Sequence, residues 1–236
     1  MNVSIAVICK RAAPLLTLLL IACGGESQLP AVSVTPPTKP VGDKHCRNYN
    51  AQRTPFFGDL HVHTTYSLDA NTQGTLTTPH DAYRFALGEP LGLQPYDANG
   101  APTRSAQLSR PLDFTAVTDH SELLGETEIC TNPDNAGYNS PECLFYRQSP
   151  DQAFVIFNFF GPGTDGLPNP TGGEFVPRLP YCGVNGERCL EAAKTPWRDI
   201  QRAAEAFYDR SEECRFTTFV GYEYTAAPLS NNLHRN

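Results

Sequence analysis

Short apolar runs alternate with amphipathic segments along the chain after residue 50. Three runs rich in β-branched and aromatic residues predict strands, and they are FFGDLHVH (56–63), LDFTAVTDH (112–120) and FTTFVGYEY (216–224). Two segments between them have apolar residues at helical spacing and predict helices. These segments are TPHDAYRFALG (78–88) and TPWRDIQRAAEAFYD (195–209). Strands that alternate with helices predict parallel β-α units.

Both predicted helices carry start or stop residues. In the first, Thr78 is the predicted N-cap, Pro79 lies in the first turn and Gly88 ends the helix. The second helix is predicted to run from Pro196 to Asp209, because proline is favoured in a first turn. The predicted apolar stripe of the first helix consists of Ala82, Phe85 and Ala86.

The stretch between Cys130 and Cys189 is rich in Gly, Pro and Asn, and it is too long for a simple connection. It is interrupted by QAFVIFNFF (152–160), whose aromatic residues we expect to belong to a core. The sequence therefore predicts a cysteine-rich insertion at about residues 130–190.

The composition is that of a globular protein, with 40% hydrophobic and 10% aromatic residues. The charge balance is mildly acidic, with 18 basic and 25 acidic residues, and no run of Lys or Arg forms a track for nucleic acid. A small molecule is therefore the expected partner, and a nucleic acid is not.

The amino terminus has the pattern of an export signal. Lys10 and Arg11 precede AAPLLTLLLIAC (12–23), an apolar stretch too short to cross a bilayer. The stretch ends at Cys23 in a motif that resembles the lipobox of bacterial lipoproteins, in which the cysteine is acylated. A soluble secreted protein cleaved after a small residue is the alternative. We expect a signal peptide at 1–22, a flexible tether at 23–50 and an exported, lipid-anchored domain of the cell envelope at 51–236.

Six cysteines remain when Cys9 in the signal and Cys23 are set aside. An even number in an exported chain predicts disulfides. Cys182 and Cys189 flank the turn-rich GVNGER and are the expected local pair, whereas the sequence leaves the other connectivities open. A cysteine-rich zinc site is the competing interpretation, and the lack of any C-x2-C spacing disfavours it.

The first predicted strand carries two histidines at alternate positions. Because alternate residues share a face of a strand, His61 and His63 are expected on one face with Asp59. Leu60 and Val62 are expected on the other face, packed against helices. Two imidazoles on one rigid element can bind one metal ion. From this pair alone, a structural role and a metal site are both open.

The ends of the other predicted strands add further side chains that can bind metals. Asp119 and His120 end the second strand, Glu223 lies near the end of the third, and His234 follows eleven residues later. Parallel strands bring their carboxyl ends to one edge, where α/β enzymes build their sites. A multinuclear metal site is therefore favoured over buried polar residues that satisfy one another. The candidate ligands are His61, His63, Asp69, His120, Glu223 and His234.

Three motifs together resemble those of a known group of metal-dependent enzymes. DLHVHTTYSLDA (59–70), FTAVTDHSE (114–122) and VGYEYTAAPLSNNLHRN (220–236) are similar to metal motifs of the PHP (polymerase and histidinol phosphatase) superfamily. They are most similar to its domain of unknown function 3604 (DUF3604) family, over about residues 55–128 and 215–236. The resemblance implies an α/β fold that is a partial, distorted (β/α)7 TIM-like barrel of PHP type.

The resemblance also implies two or three divalent metal ions as cofactors. Mixed imidazole and carboxylate ligands suit Zn, Mn or Fe, and the sequence does not choose among them. The implied sets are His61 with His63 for the first ion, Glu223 bridging it to a second ion that His234 also binds, and Asp69 with His120 for a third.

Two catalytic residues are expected beside these ligands. Asp119 matches the acidic residue of the TDH motif, and we expect it to orient a ligand, with direct ligation as the alternative. Arg235 follows His234 and would clamp a substrate phosphate with its forked donors. A solvated surface arginine is the alternative for Arg235.

The expected function is that of an exported metal-dependent hydrolase of phosphate esters, in which a metal-activated water attacks. A metal-dependent hydrolase of another bond and a non-enzymatic metal- or ligand-binding surface lipoprotein are the alternatives. The family's pattern continues after the third motif with further histidines and a D-x-H motif. We therefore expect the chain to be the amino-terminal part of a longer protein, and to be poorly stable and inactive alone.

Overall fold

Among the residues that the computed structural model describes, the fold combines one parallel sheet, two small antiparallel sheets, six α-helices and a 3-10 helix at Pro180–Cys182. The described residues are 46–50, 52–160, 179–183, 186–226 and 233–236. The predicted signal peptide, the tether up to residue 45 and part of the predicted insertion lie outside these residues. The strands are β1 Gly58–Val62, β2 Leu91–Tyr96, β3 Pro102–Ala106, β4 Phe114–Val117, β5 Thr217–Val220, β6 Tyr224–Ala226 and β7 Leu233–Arg235. The helices are α1 Leu68–Thr72, α2 Pro79–Ala86, α3 Leu124–Thr131, α4 Pro141–Gln148, α5 Pro150–Phe160 and α6 Glu187–Phe207.

The three predicted strands form the parallel sheet, in the order β1-β4-β5. Thr115 of β4 pairs with Asp59 of β1 on one side and with Thr218 of β5 on the other. The predicted parallel arrangement is therefore confirmed for these strands. All three strands are shorter than predicted, and Glu223, beyond the end of β5, forms a separate bridge to His120.

The described residues form no closed barrel. β2 and β3 make an antiparallel hairpin, and β6 and β7 make a second antiparallel pair. The sequence pattern did not predict the hairpin, because Gly92 and Pro95 interrupt β2 and both residues weaken a strand signal. The α/β class is confirmed, whereas the partial (β/α)7 barrel stays a prediction.

The first predicted helix is confirmed as α2. The Thr78 hydroxyl accepts a hydrogen bond from the backbone N–H of Asp81, and the Asp81 carboxylate accepts one from the backbone N–H of Thr78. This reciprocal pair is a capping box. Phe85 is only half-buried, so its predicted place in the apolar stripe is wrong. The buried positions have the i, i+3, i+4, i+7 spacing of one helix face, and they are Pro79, Ala82, Tyr83 and Ala86.

The second predicted helix begins earlier than the sequence indicated. α6 starts at Glu187, and Pro196, the predicted first residue, lies inside it. A proline inside a helix cannot donate the backbone hydrogen bond and costs stability. Packing of the first turns against α3, through Cys189 and Ala192, and the disulfide at Cys189 stabilise the part of α6 before Pro196. The predicted start is wrong because tertiary packing outweighed the local start signal.

Two hydrophobic clusters hold the helices in place. One joins the parallel sheet to α2 and α6, and it includes Val117, Ile200 and Phe216. The other joins α1, α3, α4 and α5 around two disulfides, and it includes Phe157. In α5 the predicted core role of the aromatic residues therefore holds for Phe157 but fails for Phe154, which is exposed.

Three disulfides link six cysteines. The expected pair of Cys182 and Cys189 is confirmed, and the other two pairs are Cys46–Cys214 and Cys130–Cys143. Paired cysteines offer no thiolate to a metal, so these six do not form a zinc site. Disulfides persist outside the cytosol, which agrees with an extracellular location. In the part of the chain that the structure describes, no helix is long and apolar enough to cross a membrane.

Loss of the Cys46–Cys214 disulfide should cost more stability than loss of the Cys182–Cys189 disulfide. The two bonds join residues 168 and 7 positions apart. Loop-closure entropy in the unfolded chain assigns about 5 kcal/mol to the longer loop and about 2 kcal/mol to the shorter one. Denaturant unfolding of the two double Cys→Ser variants tests this order, and equal losses would contradict it.

Candidate metal centre

β1 brings His61 and His63 to the carboxyl edge of the parallel sheet. Between two of its ladder pairs β1 has one residue more than β4, which is a β-bulge. The bulge interrupts the predicted alternation, because Val62 packs in the cluster with α2 and α6 while Leu60 is half exposed. The predicted packing against helices is therefore wrong for Leu60. The side chain of His61 is 58% exposed and that of His63 is 14% exposed.

Glu223 lies at the centre of the predicted ligands. Its side chain is buried, and Oε2 lies 2.8 Å from Nε2 of His61 and 2.9 Å from Nε2 of His63. The second oxygen, Oε1, contacts Nδ1 of His234. One carboxylate beyond the end of β5 therefore contacts histidines from both β1 and β7.

Asp69, in the first turn of α1, contacts two histidines of the predicted ligand set. Its Oδ2 lies 2.9 Å from Nδ1 of His63 and 3.9 Å from Nε2 of His120. The hydroxyl of Ser67 donates to the other oxygen, Oδ1, at 2.6 Å. The Ser67 contact leaves Oδ2 directed at the two histidines. His63 therefore lies between the carboxylates of Asp69 and Glu223.

The structure brings all six predicted ligands together in three overlapping groups. Within each group, one nitrogen or oxygen atom per residue lies within 4.8 Å of the others. Two metal–ligand bonds of about 2.1 Å each span most of that distance. The donor set of imidazole nitrogens and carboxylate oxygens fits Zn, Mn or Fe, while ligation itself stays a prediction. The groups are His61, His63 and Glu223; His63, Asp69 and His120; and His120, Glu223 and His234.

The carboxylates and histidines of the cluster contact one another and shift one another's pKa values. Burial lowers the pKa of His63, but the hydrogen bonds and charges of Asp69 and Glu223 outweigh burial and raise the pKa to about 8. Burial also raises the pKa values of Asp69 and Glu223, but their histidine neighbours outweigh it and hold both pKa values below the usual range. Because a protonated imidazole cannot bind a metal on that nitrogen, metal binding would release a proton.

The family described as "Protein of unknown function (DUF3604)" matches residues 50–236 of the chain. The chain belongs to this family. The match covers all three motifs, so the predicted DUF3604 membership is confirmed, and the wider PHP relation stays a prediction. No curated protein and no solved structure matches the chain.

In this DUF3604 chain, Asp119 lies beside the cluster but faces the loop that follows β1. It is fully buried, and its two oxygens accept hydrogen bonds from the backbone N–H and the hydroxyl of Thr64. Burial raises the pKa of Asp119 to about 6, against the lowering effect of the Thr64 hydrogen bonds. Through Thr64, Asp119 holds the residue that follows His63, and the predicted orienting role and its alternative, direct ligation, both stay predictions.

Arg235 does not join the DUF3604 cluster. It is the neighbour of His234 in β7, and adjacent residues of a strand point to opposite faces. His234 contacts Glu223, whereas Arg235 is exposed. The predicted phosphate clamp stays a prediction, with a solvated surface arginine as the alternative.

Three polar residues of the cluster were not predicted from the sequence. Oε1 of Glu122 lies 2.9 Å from Nδ1 of His120, and Oγ1 of Thr225 lies 3.2 Å from the same nitrogen. Ser67 is the third, through its contact with Asp69. The available signal for Glu122 was its place two residues after His120 in TDHSE. Ser67 and Thr225 gave no signal, because hydroxyl residues are common and only the fold shows their partners.

Thr64→Val should destabilise the protein by about 2 kcal/mol, because buried Asp119 loses a donor and hydrogen bonds to charged groups contribute about 1.5–3 kcal/mol. Thr103→Val is the matched control, since the Thr103 hydroxyl donates to the Pro95 carbonyl at an exposed site. We expect the control to change stability by less than about 0.5 kcal/mol. Urea unfolding measures both variants, and equal stability would show that Asp119 does not depend on this hydroxyl.

Glu223→Gln should remove more bound metal than His61→Ala, because Glu223 belongs to two of the three groups and His61 to one. Metal content per chain after dialysis, measured by atomic emission, tests this difference. Glu205→Gln is the control for the change of charge, because Glu205 lies on an exposed side of α6. Metal retention by Glu223→Gln equal to that of the control would contradict a bridging role for Glu223.

Proposed function

We propose that the chain is an exported, metal-dependent hydrolase of phosphate esters. The observation that supports the proposal most is the position of six histidine and carboxylate side chains at or just beyond the carboxyl ends of the parallel strands, in α1 and in β7. This edge of a parallel sheet is where α/β enzymes bind their substrates. Groups that overlap suit ions a few ångströms apart, which can act together on one phosphoryl group.

Bound divalent ions would lower the pKa of a coordinated water towards neutrality and would neutralise charge on the phosphoryl oxygens. The residues of the chain hold and orient this centre. His61 and His234 have the most exposed side chains of the cluster, at 58% and 50%. Glu223 is buried behind them. A substrate would therefore approach from the side of these two histidines.

Two of the hydroxyl groups near the cluster are poor candidates for a nucleophile. Ser67 is buried and donates to Asp69. Thr225 is buried as well, between His120 and His234. Neither hydroxyl is free to face a substrate, which supports attack by water and not by a side chain.

A groove lined by sequence neighbours of Glu223 and His120, and by none of the six predicted ligands, has room for a small molecule. Its volume is about 500 Å³, within the range of small-molecule pockets. Tyr222 and Tyr224 flank Glu223 along the chain, and they line the groove together with Trp197 of α6. This aromatic lining supports a small-molecule partner.

The proposal also includes a lipid anchor at Cys23, membership of the PHP superfamily and the partial (β/α)7 barrel. These parts rest on the sequence motifs, and the three disulfides support export because disulfides persist outside the cytosol. The expectation of a longer parent protein is tested by reading the gene beyond Asn236. Further histidines and a D-x-H motif there would support it.

The metal-loaded full-length protein should hydrolyse phosphate monoesters or diesters and lose this activity in the presence of a chelator. His61→Ala and Glu223→Ala should each reduce kcat by about 100-fold or more, because removal of a single group that stabilises the transition state has effects of this size. Glu205→Gln should leave the rate unchanged. Assays against monoesters, diesters and non-phosphate esters measure these rates.

The outcomes separate the three functions. Hydrolysis of non-phosphate esters alone would keep a metal-dependent hydrolase but reject the phosphate assignment. Absence of turnover in every class, with His61→Ala and Glu223→Ala changing only metal retention, would reject an enzyme in favour of a metal-binding surface lipoprotein.

A further inference from the structure

Glu122 is a buried carboxylate that contacts the cluster from outside its three donor groups. Its Oε1 lies 2.9 Å from Nδ1 of His120. Its Oε2 accepts a hydrogen bond from the backbone N–H of Thr225 at 3.3 Å. Glu122 therefore connects the segment after β4 to β6, on the side of His120 that faces away from Asp69.

This contact determines which nitrogen of His120 carries a proton. An ionised carboxylate only accepts hydrogen bonds, so the atom that faces Glu122 must be a donating Nδ1–H. The hydroxyl oxygen of Thr225, 3.2 Å from the same nitrogen, is a second possible acceptor for that proton. A neutral imidazole with a proton on Nδ1 has its lone pair on Nε2.

Nε2 of His120 faces Asp69. The distance from this nitrogen to Oδ2 of Asp69 is 3.9 Å, which is too long for a hydrogen bond. It is spanned by two metal–ligand bonds of about 2.1 Å each. By contrast, His63 lies at hydrogen-bond distance, 2.9 Å, from both Asp69 and Glu223. The space between His120 and Asp69 thus has the dimension of an ion with a ligand on each side.

We propose that Glu122 is a positioning residue that fixes His120 as an Nε2 ligand of the ion held with Asp69. The inference rests on the proposed metal centre. It has a consequence for the group of His120, Glu223 and His234, because a neutral imidazole has one lone pair and that of His120 is used by the ion held with Asp69. His120 then serves the Asp69 ion alone.

The tautomer of His120 can be measured in the wild-type protein. Long-range 1H–15N NMR spectra of the Zn²⁺-loaded full chain distinguish a protonated from a metal-bound ring nitrogen. We expect Nδ1 of His120 to carry the proton and Nε2 to carry the metal. A metal bond at Nδ1, or a proton on Nε2, would overturn the proposal without the use of any variant.

Glu122→Leu should weaken the binding of one Zn²⁺ by about 10–100-fold, the usual effect of removing the partner of a metal-binding histidine. Binding of the ion at His61 should not change. Glu122→Gln keeps a carbonyl acceptor for Nδ1–H and should restore most of the affinity. Glu191→Gln, at an exposed position of α6, is the control. Unchanged Zn²⁺ affinity in Glu122→Leu, measured by titration calorimetry, would overturn the role of Glu122, and so would equal losses in the Leu and Gln variants.

Failure of the proposed function gives a different result. Zn²⁺ binding through Nε2 of His120 without turnover would support the role of Glu122 and reject only the hydrolase. Turnover with His120 bound through Nδ1 would reject the role of Glu122 and keep the hydrolase. A wild-type chain that binds no Zn²⁺ would overturn both.

Discussion

The buried carboxylate of Glu223 is the interaction on which the candidate centre depends. Its oxygens contact histidines from β1 and β7, although Glu223 itself follows β5. A buried carboxylate is tolerated only when its charge is compensated, so the fold must bring those histidines to it. Its main chain is tied to the β4 end as well, since its N–H donates to the Asp119 carbonyl and its carbonyl accepts from the N–H of Ser121. Through its side chain and main chain, Glu223 therefore connects the ends of β1 and β4 with β7.

Apolar packing on the opposite side of the sheet keeps these strand ends in place. The apolar cluster of β4, α2 and α6 fixes the strands, and Val62 extends that cluster to β1. The loop after β1 is held by Asp119 through Thr64, so the segment that leads to Asp69 is attached to β4. Rigid packing therefore lies on one side of the ligands, while His61 and His234 face solvent on the other. This asymmetry is what a site requires when its ligands are to be preorganised and its substrate is to enter.

The sequence predicted the metal ligands better than the structural features that hold them in place, for a physical reason. Metal chemistry uses few residue types, and ends of predicted parallel strands meet at one edge, so local features sufficed for residues such as His61 and Glu223. The bulge that exposes Leu60 depends on pairing with β4, which is a long-range property. The start of α6 before Pro196 depends on packing against α3 and on a disulfide. Glu122 was missed because its role appears only when Thr225 and His120 are adjacent in space.

Overlap between the donor groups does not mean that every shared residue can serve two ions. A neutral imidazole has one lone pair, so His63 can bind a single ion, although it belongs to two groups. If Nε2 of His63 binds the ion shared with His61, its Nδ1–H remains to donate to Asp69, at the 2.9 Å distance that the structure shows. Asp69 then orients one ligand while it binds a different ion. Only the carboxylates of the six, with two oxygens each, can bridge ions, which makes Glu223 the natural link between neighbouring ions.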